Sequence, residues 1–125
     1  MGENEIGERI IRGAIRVHST LGPGLLESAY EACLVYELGK QGVAVARQVA
    51  LPVRYNDVEI DAGYRLDLLV GKKVVVEIKA IERLAPIHTA QILSYLRLSG
   101  YKLGYVLNFN VTQMKQGIKR VVNGL

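Results

Sequence analysis

The sequence has one cysteine, no tryptophan and no long apolar run. Cys33 is the only cysteine among 125 residues, so an intrachain disulfide cannot form and a zinc site built on several thiolates is excluded. No apolar run approaches the roughly 18 residues that cross a bilayer. Met1 leads into an acidic, helical stretch instead of a basic flank with an apolar signal core. We therefore expect a cytoplasmic protein with no membrane partner.

The sequence also lacks the composition of a disordered chain. Half of its residues are hydrophobic and only 22% are charged, whereas disorder requires low hydrophobicity and high charge. It contains no internal repeat, linker or low-complexity tract. A chain of this length has room for one hydrophobic core, so we expect a single domain over residues 1–125.

Acidic residues are scarce in the second half of the chain. Residues 1–62 carry 6 basic and 9 acidic side chains, a net charge of −3, while residues 63–125 carry 10 and 3, a net charge of +7. Such a basic half can attract a polyanion such as nucleic acid. Many solvated protein surfaces are equally basic, so charge alone does not identify a nucleic-acid partner.

Two helices are predicted at the start of the chain. The first has an apolar stripe at helical spacing and ends at Gly22-Pro23-Gly24. Its apolar residues are Ile6, Ile10, Ala14, Val17 and Leu21. The second is expected from near Leu25 to about Gly39. Its predicted apolar face consists of Leu25, Ala29, Cys33 and Tyr36.

The rest of the chain predicts strands around one further helix. Residues 43–55 and 58–60 favour extended structure, with a turn at Asn56-Asp57 and a plausible bulge at Gly63. Residues 66–70 and 74–79 are apolar on both faces, as is typical of central strands covered by helices. Pro86 can start a helix that ends at Gly100 and carries Ala90, Leu93, Leu96 and Leu98, and residues 103–107 resemble a buried strand. A short helix capped by Asn110 and an extended segment at 118–122 complete an α/β chain.

An acid interrupts each of the two central strands. In "GYRLDLLVGKKVVVEIKA", a three-residue loop at Gly71-Lys72-Lys73 would set Val70 opposite Val74 and therefore Asp67 opposite Glu77. A two-residue loop would instead pair Asp67 with Val76 and send Glu77 to the other face. The register of this hairpin therefore decides whether the two carboxylates meet.

Facing carboxylates on central strands repel each other and need a compensating cation. Lys79 lies on the same face as Glu77, one pleat further along the strand. Mg²⁺ or Mn²⁺ would satisfy both acids and could activate water for phosphodiester hydrolysis, with Lys79 orienting that water or stabilising charge on the phosphate. The simpler alternative is a metal-free ion pair between neighbouring strands, in which Lys79 and Arg65 neutralise the acids.

Four other residues are candidates for the same site. Gln91 and Tyr95 lie four apart on the predicted third helix, so they share a face on which an amide and a phenol can contact phosphate or sugar. Core packing is the alternative role for Tyr95. Glu27 and Tyr30 lie at the start of the second helix, where Glu27 could point toward the metal with Tyr30 supporting it. Glu27 would also be favourable there because of the helix dipole alone.

Together these residues resemble the PD-(D/E)XK nuclease superfamily, with an acid, then Glu-x-Lys, then the Gln-x-x-x-Tyr helix of its exonuclease-like branch. More closely, Gly24, Glu27 and Tyr30 resemble the signature of the GxxExxY protein family. The similarity runs over almost the whole chain and includes the stretches "VHSTLGPGLLESAYE", "LPVRY", "GYRLDLLV", "VVVEIKA", "AQILSYL" and "LNFNV". The resemblance implies a restriction-endonuclease-like core, with a central mixed β-sheet flanked by α-helices.

The resemblance also implies the role of each candidate residue. Asp67 and Glu77 become metal ligands, Lys79 the catalytic lysine and Glu27 an added acidic ligand or orienter, for Mg²⁺ or Mn²⁺. Gln91 and Tyr95 become substrate-binding residues.

The expected activity is that of a metal-dependent nuclease acting on nucleic acid, with DNA favoured over RNA. A symmetric homodimer is also expected, because one active site cuts one strand and a dimer could cut both. The alternative is a catalytically silent module on the same fold that binds nucleic acid or another protein.

Overall fold

The computed structural model describes all 125 residues, with two helices at the start, five strands, a third helix and two final strands. The helices are α1 (Glu3–Leu21), α2 (Glu27–Lys40) and α3 (Pro86–Ser99). The strands are β1 (Val45–Ala50), β2 (Val53–Tyr55), β3 (Val58–Ile60), β4 (Arg65–Val70), β5 (Val74–Lys79), β6 (Leu103–Asn108) and β7 (Ile118–Val122). A single 3-10 turn, Met114–Gly117, precedes β7. No helix combines the length and the apolar character needed to span a bilayer.

Five strands form one mixed sheet in the order β1-β4-β5-β6-β7. All neighbours are antiparallel except β5 and β6, which are parallel and are connected by α3. Such a crossover places its helix on one face of the sheet. The hairpin of β2 and β3 forms a separate two-stranded sheet. This arrangement confirms the predicted α/β architecture, a mixed sheet flanked by helices with two N-terminal helices.

Both faces of β5 are buried, as the sequence predicted. Val74, Val76 and Ile78 share a core with α1 and α2, while Val75 packs with α3 on the opposite face. Each face therefore removes apolar side chains from water, which explains why the strand has no continuous polar face. Any charged group on this strand must be desolvated with it.

The buried face of α2 differs from the predicted one by about one residue. The buried residues are Tyr30, Glu31, Leu34 and Leu38, whereas Tyr36 is 66% exposed and Leu25 lies before the helix. One residue rotates a helix by about 100°, so this difference exchanges faces. The ring of Tyr30 stacks on Phe109 with centroids 4.6 Å apart, and burial of this large side chain sets the rotation.

The buried face of α3 also differs in part. This helix buries Ile92, Tyr95 and Leu96 against the sheet. Leu98, which was predicted to face the core, is 39% exposed. Tyr95 therefore packs partly into the core while its hydroxyl remains near the polar residues described below.

Candidate active site

The hairpin between β4 and β5 has the register that brings the two strand acids together. Val70 pairs with Val74 and Leu68 with Val76, so the loop is the three residues 71–73. Gly71 and Lys72 have φ angles of 60° and 61°, which close the turn. Counting one step beyond Leu68 and Val76 sets Asp67 opposite Glu77. Of the two registers that the sequence left open, the structure has the three-residue loop.

Each of the two carboxylates accepts a hydrogen bond from the backbone of the opposite strand. The amide of Asp67 donates to Oε2 of Glu77 at 2.9 Å, and the amide of Ile78 donates to Oδ2 of Asp67 at 2.8 Å. Side-chain oxygens thus replace carbonyl oxygens at the point where the ladder ends. These two hydrogen bonds hold both carboxyl groups in fixed orientations.

Burial makes ionisation of this acid pair unfavourable. Glu77 is only 5% exposed and Asp67 is half-buried. Desolvation, followed by the charge of Asp67, raises the pKa of Glu77 to about 8. Desolvation also raises the pKa of Asp67, and the nearby charge of Glu31 acts in the same direction. Glu77 therefore keeps its proton at neutral pH unless a cation compensates its charge.

Lys79 is close enough to influence both acids but is paired with neither. Its charge lowers the pKa of both Asp67 and Glu77. No ion pair within 4.0 Å joins Lys79 or Arg65 to either acid, and no hydrogen bond occupies the Lys79 ammonium. The metal-free ion pair, which was the simpler interpretation of the sequence, is therefore not formed. Lys79 remains a half-buried cation available to another group.

Asn108 fixes the path of the chain just after Lys79. It pairs with Lys79 across the parallel strands and is buried. Its amide nitrogen donates to the Ile81 carbonyl at 3.0 Å, and its side-chain oxygen accepts from the Ile81 amide at 3.1 Å. This double contact holds the end of β5 against β6. We did not identify Asn108 from the sequence as a residue that orients the strand carrying Lys79.

The Gly-x-x-Glu-x-x-Tyr segment presents Glu27 at the start of α2. The Tyr30 hydroxyl donates to the Gly22 carbonyl at 2.6 Å and accepts from the Leu25 amide at 3.1 Å, which locks the turn between α1 and α2. Gly24 in this turn has φ +99°, a conformation that favours glycine. Glu27 is exposed, and its charge raises the pKa of both Asp67 and Glu77. Tyr30 therefore supports Glu27 indirectly, through the backbone of the turn.

Gln91 and Tyr95 lie on the side of the sheet that α3 covers. The Gln91 amide donates to the Tyr95 hydroxyl at 3.0 Å. Burial raises the pKa of Tyr95, and the charge of Glu77 adds to this effect. The ring of Tyr64, which the sequence did not single out, lies 5.9 Å from that of Tyr95 at an interplanar angle of 54°. Tyr95, which contacts both Gln91 and Tyr64, is near enough to the acid pair for the charges of Glu77 and Asp67 to act on it.

The edge strand β1 is distorted where it passes Asp67. Arg47 pairs with Leu68 and Val49 with Leu66, so Gln48 is the residue opposite Asp67. Gln48 has φ +51°, which takes it out of the regular hydrogen-bonding pattern of the strand. Gly63, where the sequence suggested a bulge, has φ +78° but lies in the irregular segment before β4. A non-glycine residue in this conformation is strained and needs support from its surroundings.

Glu31 supplies that support from α2. Glu31 is buried, and its Oε1 accepts a hydrogen bond from the side-chain amide of Gln48 at 2.9 Å. Its Oε2 accepts hydrogen bonds from Nε and Nη2 of Arg47 at 3.1 and 2.9 Å. The three side chains hold β1 in its distorted form next to Asp67. Their contacts span 16 or 17 residues, so no local sequence pattern indicated them.

Replacing Arg47 with methionine is expected to lower the free energy of unfolding by about 1–2 kcal/mol, because Glu31 would keep only one partner while buried. Arg47 is partly exposed, which limits the effect. The matched control is Arg54→Met, which removes an exposed pair with Glu59 and should cost no more than about 0.5 kcal/mol. Urea unfolding of both variants gives the comparison. Equal destabilisation would show that the Glu31 contact contributes no more than a surface pair.

The donor set fits a hard divalent cation. Asp67 and Glu77 each use one oxygen for a backbone amide, and the other oxygen has no protein partner. Neither of these free oxygens is among the fully buried atoms that lack a hydrogen bond, so both touch solvent. Mg²⁺ typically binds one or two carboxylates and keeps several waters. No three acidic, histidine or cysteine side chains lie close enough together to form a metal-binding group, so Glu27 is near the pair without joining it.

Comparison with known proteins identifies the family of this chain. A family model described as the PD-(D/E)XK nuclease superfamily matches residues 4–121. No curated protein and no solved structure matches the chain. The family match covers nearly the whole domain, including both strand acids, Lys79 and the α3 residues. The chain therefore belongs to the PD-(D/E)XK nuclease superfamily.

Proposed function

We propose that this protein is a Mg²⁺- or Mn²⁺-dependent nuclease that hydrolyses phosphodiester bonds of nucleic acid, with DNA favoured over RNA. The observation that carries the proposal is the pair of facing carboxylates, Asp67 and Glu77, beside the unpaired Lys79. A structural ion pair would have bonded the lysine to an acid. Here the acids are fixed by backbone amides and the cation is free.

Asp67 and Glu77 would hold the ion through the oxygen that each leaves without a protein partner. A divalent ion bound there would polarise a phosphoryl oxygen and lower the pKa of the attacking water. The backbone hydrogen bonds keep both carboxylates in place before the ion arrives, which lowers the ordering cost of binding. Glu27 would act as a further acid that orients water from the start of α2.

Lys79 would stabilise the negative charge that develops on the phosphate or orient the attacking water. An ammonium group without a protein partner can contact a ligand without first breaking an ion pair. Gln91 and Tyr95 would bind the substrate beside this centre, since the charges of both acids act on Tyr95 and Gln91 donates to its hydroxyl. Lys79 would then act at the scissile phosphate, while Gln91 and Tyr95 would contact the substrate next to it.

The direct test is cleavage of supercoiled plasmid and of single-stranded circles with Mg²⁺ or Mn²⁺. Wild type is expected to nick or cut, and Glu77→Ala to lose at least about a hundredfold in rate because one of the two ligands is removed. Glu8→Ala, which changes an exposed α1 acid without a recorded ion-pair partner, is purified identically and should cleave like wild type.

Two results would overturn the proposal. Equal cleavage by wild type and Glu77→Ala would indicate a contaminating nuclease. Absence of cleavage, combined with metal-independent binding that weakens steeply with salt, would support the silent nucleic-acid-binding module instead.

Cutting both strands of a duplex would be easier for a symmetric homodimer than for a single domain. Light scattering at assay concentrations tests this part of the proposal, and a monomer that linearises plasmid would contradict it.

A further inference from the structure

A cavity of about 330 Å³ opens between α3 and the segment that precedes β4. We call it the Tyr64 pocket, and it is lined by Val53, Tyr64, Gln91, Ser94, Tyr95 and Leu98. Its volume lies at the lower end of the range for small-ligand sites. A pocket of this size suits one planar group, not a folded peptide or a duplex.

The lining of the Tyr64 pocket favours a flat, neutral group with polar edges. No lysine or arginine lines it, so nothing there neutralises a phosphate. Its polar side-chain groups are the Gln91 amide and the hydroxyls of Tyr64, Ser94 and Tyr95, and Oε1 of Gln91 accepts no hydrogen bond from the protein. Side-chain amides and hydroxyls are groups that read the edges of nucleobases. The remaining walls are aliphatic or aromatic.

Tyr64 offers an aromatic surface that is held in place. Its side chain is 45% exposed, and its ring is tilted by 54° from Tyr95, so the two rings do not stack on each other. The Tyr64 carbonyl accepts from the Leu51 amide at 2.9 Å, which anchors the backbone of this otherwise irregular segment. An exposed ring on an anchored backbone provides a stacking surface at low entropic cost.

The Tyr64 pocket lies near the acid pair on the side of Tyr95. Tyr64 precedes Asp67 by three residues, and the charges of Glu77 and Asp67 both act on the Tyr95 hydroxyl. A base seated in the pocket would therefore belong to a nucleotide close to the phosphodiester at the acids. This position is where a nuclease can select its substrate.

We infer that the Tyr64 pocket binds one unpaired nucleobase, stacked on Tyr64 and hydrogen-bonded by Gln91, so that the preferred substrate is single-stranded or locally unpaired nucleic acid. A paired base shows only its edges in the grooves, whereas stacking on a side chain needs an exposed base face. The inference rests on the proposed nuclease function for the choice of ligand, but its binding test does not depend on cleavage.

The test compares a fluorescent thymidine oligomer with an abasic oligomer of the same length and charge, in EDTA at low salt so that neither is cut. Wild type is expected to bind the thymidine oligomer about tenfold more tightly. Tyr64→Ala should lose this preference, and Tyr64→Phe should keep it because the ring remains. Tyr36→Ala, which removes a more exposed tyrosine from α2 on the other face of the sheet, should bind like wild type.

The absence of tryptophan from the chain allows a second measurement. Tyr64→Trp places the only indole at the stacking surface, and the thymidine oligomer should quench its fluorescence while the abasic oligomer should not. Equal affinity of wild type for the two oligomers, binding of neither, or full base preference in Tyr64→Ala would overturn the inference.

The outcomes also separate this inference from the nuclease proposal. Equal affinity of wild type for the two oligomers, together with Glu77-dependent cleavage, would overturn the pocket alone. Base-selective binding by a protein that cuts no nucleic acid would keep the pocket and overturn the nuclease.

Discussion

Replacing Lys79 with methionine is expected to reduce metal-dependent cleavage by at least about a hundredfold while the protein still binds Mn²⁺. The Lys79 ammonium has no protein partner and its charge acts on both strand acids. Methionine keeps the length and the apolar stem of the side chain, so packing on β5 should be retained. Only the charge that would face the phosphate is removed.

The measurements are single-turnover cleavage rates and a Mn²⁺ titration followed by thermal shift. Lys72→Met is the matched control, because Lys72 is exposed at the tip of the hairpin, at the opposite end of β5 from the acids. Loss of cleavage in both variants would point to a general need for positive charge in substrate binding. Unchanged cleavage in Lys79→Met would remove the lysine from the catalytic set.

The central part of the fold could be predicted because burial on both faces leaves a direct pattern. β4 and β5 are apolar at successive positions, and only a strand between two helical layers requires this. The crossover through α3 follows from its helical spacing and its boundaries at Pro86 and Gly100. The two strand acids were conspicuous for the same reason, since a charge in such a segment needs an explanation.

The hairpin register could not be predicted, because it depends on the conformation of one residue. Lys72 adopts φ +61°, and lysine carries no sequence signal for this region, unlike the neighbouring Gly71. The prediction of the buried face of α2 was wrong for a different reason. Tyr30 faces the core because Phe109, 79 positions away, stacks on it, and such a contact has no local period.

The surroundings of the acid pair were largely invisible in the sequence. Glu31, Arg47 and Gln48 come together only when α2 packs on β1. Asn108, at the end of β6, forms a hydrogen bond with Ile81 just after the neighbouring β5. Each of these residues is individually ordinary. The sequence therefore identified the groups that carry the proposed chemistry, while the groups that orient them required the tertiary structure.

The metal-free protein is expected to lose stability as pH rises from about 4.5 to about 8. The pKa of Glu77 is raised from 4.5 to about 8 by burial and by the charge of Asp67, and the pKa of Asp67 is also raised. Within this range the folded state keeps a proton that the unfolded state has released. Stability then decreases with pH, because the unfolded state binds fewer protons.

Glu77→Gln isolates this effect. Glutamine keeps the side-chain oxygen that accepts from the Asp67 amide but cannot ionise. In EDTA at pH 8.5 the variant should melt about 5 °C or more above wild type, and the two should converge near pH 4.5. Glu8→Gln, at the exposed α1 position, should follow wild type throughout.

Divalent metal should reverse the order of the melting temperatures of wild type and Glu77→Gln. Mn²⁺ requires ionised carboxylates, so it releases the proton from the pair and binds more strongly as pH rises through about 8. Wild type should therefore gain a thermal shift at pH 8.5 that Glu77→Gln does not show. If both proteins had the same metal-free pH profile and the same response to Mn²⁺, then burial would not disfavour the ionisation of Glu77, and Glu77 would not be a metal ligand. The hydrogen bonds of Asp67 and Glu77 to the opposite strand would then only stabilise the end of the β4–β5 pairing.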